Sequence, residues 1–96
     1  MPHFLVEYRE LGDAAAREAL RGEHVGYRKG LGAAMALAGP LLDDEERPVG
    51  SVVILEAADA AAAKVTAGAD PYVAGGVLEL VSVRRYRIAA MKPPTA

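Results

Sequence analysis

Apolar residues along this chain change their spacing several times, and each change marks an element. "HFLVEY" (3–8) is short and rich in β-branched and aromatic residues, which predicts a strand. "LGD" follows as a turn, with Asp13 placed to cap the alanine-rich run 14–31. There the spacing becomes helical: Ala16, Leu20, His24, Tyr27 and Leu31 fall within one arc of about 80° at about 100° per residue. Arg17, Glu18, Arg21, Arg28 and Lys29 are expected on the other side. Gly22 and Gly26 each weaken this helix by about 1 kcal/mol relative to alanine, so a bend or break is expected there.

Residues 33–39 fit a helix or a strand by periodicity, and the proline and strand that follow favour a strand. A loop over 40–50 and a strand over 51–57 come next. Residues 59–68 read as a short helix with Asp59 at its N-cap and Gly68 at its end. Asp70, Pro71 and Tyr72 open a helical turn that Gly75 and Gly76 close, before a long strand over 77–88. The expected domain is 1–90, with 91–96 as a disordered tail. The order β-α-β-β-α-β is that of a split βαβ, the ferredoxin-like class of α+β fold. Its two helices cover one face of a four-stranded sheet. Yet strand 51–57 sets Val53 and Leu55 against Val52 and Ile54, and the last strand sets Leu78 and Leu80 against Val77, Val81 and Val83. Strands apolar on both faces need cover on both, so a homodimer packed sheet to sheet is expected.

Composition sharpens this. Hydrophobic residues make up 52% of the 96, which excludes a disordered chain, but much of that is alanine, with one Phe, four Tyr and no Trp. A light core of this kind strengthens the case for self-association. The absence of cysteine excludes disulfides, thiolate metal sites and a cysteine nucleophile. A net charge of −2 argues against nucleic-acid partners. With neither a secretory signal pattern nor an apolar run long enough to span a bilayer, no membrane association and a cytoplasmic location are expected.

Two residues stand out as candidate chemistry. His24 lies at the edge of its helix's apolar stripe, where a side chain meets both the sheet and solvent. It is there either as a half-buried imidazole bonded to backbone or as a proton-transfer group. Asp70 is a natural cap, but a cap uses one carboxylate oxygen and leaves another for an imidazole. Ser51, at the start of its strand, and Tyr72 offer further polar groups. "DDEE" (43–46) reads as a solvated loop tip and His3 has no ligand partner at metal-site spacing, so no metal is expected.

"EHVGYRKGLG", "LAGPLLDD", "VGSVVILEA" and "AGADPYVAGGVLELVSVRRYR" together resemble the YCII-related (YciI-like) family over residues 3–88. The resemblance implies a ferredoxin-like fold that dimerises as an α+β barrel, with an active site around a His and an Asp, here His24 and Asp70. One branch of the family is similar to a dehydrochlorinase acting on chlorinated hydroxyquinols. The expectation is therefore a cofactor-free lyase or isomerase for a small cyclic or aromatic compound. Gly39 and Pro40 would shape the pocket mouth, and Ser51 and Tyr72 would bind substrate. The alternative is a non-catalytic dimer that binds a small molecule or serves a larger enzyme.

Overall fold

The computed structural model describes residues 1–92. Strand β1 (His3–Glu10) leads into helix α1 (Ala14–Gly30), a short 3-10 turn and strand β2 (Met35–Leu42). Strand β3 (Pro48–Glu56), helix α2 (Ala60–Gly68), the one-turn helix α3 (Pro71–Ala74) and strand β4 (Leu78–Tyr86) complete the chain. The sheet order is β2-β3-β1-β4 with every neighbouring pair antiparallel, the ferredoxin-like topology that the element order implies. The last four residues of the expected tail, 93–96, lie outside the described residues. Among the described residues no helix is long and apolar enough to cross a membrane.

The helix starts behave as their sequences require. Asp13 Oδ1 accepts from the Ala16 amide at 2.9 Å, and Asp59 Oδ1 from the Ala62 amide at 2.8 Å. Helix α1 runs unbroken through Gly22 and Gly26, contrary to the expected bend. Packing on one side outweighs the two weak positions: Ala16 and Leu20 rest on the core formed by Phe4, Val6, Tyr8, Val53 and Leu55.

Strand boundaries differ from expectation, most of all around the β2–β3 turn. The loop expected over 40–50 shrinks to 43–47, because β2 continues through Pro40 to Leu42 and β3 begins at Pro48. Pro40 is tolerated because β2 is an edge strand, where a missing amide donor need not break a ladder. The tight turn is held by Asp43, whose Oδ1 accepts from the Glu45 and Arg47 amides at 2.8 and 2.9 Å. Ser51 consequently sits inside β3 rather than at its start. In β4, a register shift pairs Glu7 with Ser82 but Tyr8 with Leu80, leaving Val81 as the extra residue of a bulge. The bulge returns Val83 to the core side with Leu78 and Leu80, correcting the alternation expected from spacing alone. Gly50 packs where only glycine fits, since a Cβ there would lie 2.5 Å from the Tyr8 carbonyl oxygen.

Helices α1 and α2 lie on one face of the sheet, over Phe4, Val6 and Tyr8. Tyr8 is 3% exposed and its hydroxyl donates to the Ala67 carbonyl at 2.8 Å, tying β1 to the end of α2. Burial pushes this phenol up to about 12, against the opposing pull of the Arg28 guanidinium. Tyr27, whose hydroxyl donates to the Thr66 carbonyl at 2.6 Å, is raised for the same leading reason.

Two outcomes follow for stability. A methyl group at Gly22 or Gly26 would meet nothing within 4 Å. Gly22→Ala and Gly26→Ala should therefore each stabilise the fold, by up to about 1 kcal/mol in urea titrations. The raised phenols act at high pH: the folded state holds their protons more tightly than the unfolded chain does. For Tyr8 the contribution is complete below pH 10.0 and is lost as pH climbs towards about 12. Tyr8→Phe should lower stability at pH 7 by about 1 kcal/mol for the lost hydrogen bond. The same variant should show a shallower decline than the parent over the alkaline range.

Candidate active site

The strongest feature of this fold is a carboxylate that almost no solvent reaches. Asp70 is 1% exposed and stands between α2 and α3, where it caps the one-turn helix that Pro71 begins. Its Oδ1 accepts from the Tyr72 amide at 3.0 Å and from His24 Nδ1 at 2.7 Å. Its Oδ2 accepts from Arg28 Nε at 2.8 Å. Cap and histidine partner, expected on different oxygens of the carboxylate, share Oδ1, and Oδ2 goes to Arg28 instead.

An ionised carboxylate only accepts, so the proton between His24 and Asp70 resides on Nδ1. That fixes the tautomer and leaves Nε2 as the ring nitrogen with a lone pair to offer. The imidazole is also held in plane. Its ring stacks on Tyr72 with centroids 3.8 Å apart and planes 5° from parallel. On Tyr72 the Arg17 guanidinium carbon lies 5.2 Å from the ring centroid, and the Tyr72 hydroxyl donates to the Arg17 carbonyl at 3.3 Å. Tyr72 is 3% exposed, so it is a wall and a clamp for His24 as much as a polar group facing a ligand.

Beside the pair opens a cavity of about 360 Å³, at the small end of ligand-sized pockets. Arg17, His24, Arg28 and Tyr72 line its helical side, and Gly39, Pro40 and Ser51 line it from the edge of the sheet. Every residue singled out as a candidate in the sequence except Asp70 therefore borders the cavity; Asp70 stands behind His24. Ser51 Oγ makes a long 3.4 Å contact with the Gly39 carbonyl, which leaves its hydroxyl loosely committed.

Sequence reasoning missed the two arginines. They were assigned to the opposite side of α1 from the apolar stripe, whereas Arg28 is only 13% exposed and pairs with Asp70. The signal was present: spacings of seven and four residues put Arg17 and Arg28 about 20° and 40° from His24 around the helix. They share its edge of the stripe. Long side chains from that edge reach inward past the backbone.

This geometry can move a proton. An imidazole with one nitrogen anchored and the other available suits general acid–base chemistry, and the guanidinium groups beside it suit a developing negative charge. Among the described residues, no three His, Cys, Asp or Glu side chains gather closely enough to hold a metal ion.

Known proteins add the following. No curated protein matches the chain in sequence. Its fold is similar to that of 5-chloro-2-hydroxyhydroquinone dehydrochlorinase (TftG) from Burkholderia phenoliruptrix AC1100, solved in complex with 2,5-dihydroxybenzoquinone. The TM-score is 0.69 at 23% identity, covering 88% of this chain and 93% of that one. A model of the YCII-related domain matches residues 1–87, the whole of the sheet and all three helices, and the chain belongs to that family.

Proposed function

We propose that this protein is a cofactor-independent acid–base enzyme, a lyase of the dehydrochlorinase type, acting on a small hydroxylated ring. The observation that carries this reading is the 2.7 Å bond from His24 Nδ1 to the buried Asp70, at the wall of a ring-sized cavity. The fold shared with a dehydrochlorinase supports the reaction class.

On a chlorinated hydroxyquinol the chemistry balances without an external oxidant. His24 Nε2 accepts a proton from a ring hydroxyl and returns it to the carbon that bears chlorine, giving a keto tautomer. Chloride then leaves with the C–Cl electron pair while a second hydroxyl proton passes to His24. The ring becomes a quinone, and the net loss is one proton and one chloride. Asp70 steadies the imidazolium formed at each proton pick-up, and Arg28 neutralises Asp70 so that the carboxylate can stay ionised while buried. Gly39 and Pro40 form the mouth, and Ser51 is a hydrogen-bonding partner for a ring oxygen.

A second copy of the chain belongs to the same proposal. Beside the already buried Ile54, the sheet face away from the helices carries the part-exposed Leu5 and Val52, and on the edge strand Leu37, 50% exposed. Sheet-to-sheet association would bury them.

The catalytic reading is tested by chloride release from chlorinated hydroxyquinols. His24→Ala should lower kcat by about 10²–10⁴, the usual worth of a positioned acid–base group. Asp70→Asn should lower both kcat and stability, since it strips a partner from a buried charge pair, a loss of about 3–5 kcal/mol when a partner is removed outright. A His24→Ala enzyme with unchanged kcat would sink the assignment. For the assembly, light scattering at micromolar concentration should give twice the 10.0 kDa chain mass, and Val52→Glu should return it to the monomer value.

A further inference from the structure

Apart from the Tyr72 phenol, the ionisable groups that line the cavity are bases: Arg17, His24 and Arg28. The nearby acids stand elsewhere. Asp70 lies behind the imidazole with both oxygens occupied, at 1% exposure. Glu10 holds Arg17 from the side of a second cavity of about 310 Å³, which shares Arg17 and Pro48 with the first. Basic side chains therefore border the ligand space, while their carboxylate partners Asp70 and Glu10 are not among the residues that line it.

Arg28 adds a specific asymmetry. A guanidinium carries five N–H donors. Asp70 engages only Nε, and Nη2 is sealed from solvent with no hydrogen-bond partner. Being sealed, Nη2 is not itself a ligand contact, and Arg28 borders the cavity through its other atoms. The positive charge is held in place by Asp70 and by the Tyr8 ring, whose centroid lies 5.3 Å from the guanidinium carbon. Arg17 is the complementary case: its side chain is 40% exposed, pairs with Glu10 and borders the cavity. Across from both, Ala38, Pro40 and Leu78 offer an apolar wall suited to the flat face of a ring.

We infer that the cavity selects rings bearing an ionised oxygen, an enolate or phenolate, which Arg17 and Arg28 hold while an adjacent ring position meets His24. This deepens the proposed acid–base function and rests on its choice of cavity. A neutral phenol of the same size can accept from a guanidinium but brings no opposite charge, and is discriminated against.

Binding is measured without turnover, by calorimetry and amide NMR titration at pH 7. The probes are 2,5-dihydroxybenzoquinone, a vinylogous acid that is ionised at neutral pH, and hydroquinone, whose phenols near pKa 10 stay neutral. The ionised ring should bind about tenfold or more tightly, the size of one charge-assisted bond, and added salt should weaken it alone. Arg17→Gln should remove most of that preference and leave hydroquinone affinity unchanged. Arg28→Lys, which keeps the charge for Asp70 and loses the planar fork, should also weaken the anion. Equal affinity for the two rings overturns the inference, as does an anion preference that survives both substitutions. The two readings fail separately. A charge preference without turnover of any ring removes the acid–base reading and leaves this one, and turnover with charge-blind binding does the reverse.

Discussion

Burying the Asp70 carboxylate is the constraint on which the rest of this molecule depends. At 1% exposure the group has lost its water, and only hydrogen bonds and opposite charge can replace it. Three donors do so: the Tyr72 amide from its own turn, and Arg28 Nε and His24 Nδ1 from a helix more than forty positions earlier. The first sets the local turn. The other two fix the rotation of α1, because His24 and Arg28 are one helical turn apart and can reach the same carboxylate only with that face turned inward. The contact between α1 and α3 is close enough that a Cβ at Gly75 would run into the Leu20 side chain. A polar link and an apolar fit thus specify the same docking.

The same constraint orients the imidazole. With Nδ1 and one face of the ring occupied by Asp70 and Tyr72, the imidazole has one nitrogen left to offer, and His24 borders the cavity. Orientation here is set by groups that need never touch a ligand. Such an arrangement is costly in a chain with so few large apolar residues, since each buried polar group must be satisfied before it stops being a liability. A domain of this size that retains a buried ion pair is holding something in position, although a buried pair by itself adds little to stability.

How far the sequence spoke can be judged residue by residue. Asp13 and Asp59 were legible as caps because capping is a local event, read from a few consecutive residues. The element order gave the topology for a related reason: few arrangements connect such a succession of strands and helices. What failed was whatever depended on a neighbour across space. Pro40 looked like the end of a strand until the strand proved to be an edge. Val83 looked outward until a bulge at Val81 reversed the alternation. His24 and Asp70 were paired by the family resemblance, since their contact joins positions 46 residues apart, which no spacing rule addresses.

Arg28 is the instructive miss, because general rules pointed the wrong way. Arginine on a helix is ordinarily solvent-facing, and a wheel sorted by hydropathy places it with Lys29. The correct sorting is by what the opposite element supplies. A buried acid at the cap of α3 makes the inward edge of α1 favourable for cations, so Arg28 and His24 belong to the buried stripe while Glu18 and Arg21 stay exposed. Hydropathy patterns assume an apolar partner surface. Where that surface contains an anion, the helix answers with positive charge, and the positions that break the apolar pattern are the ones that form the site.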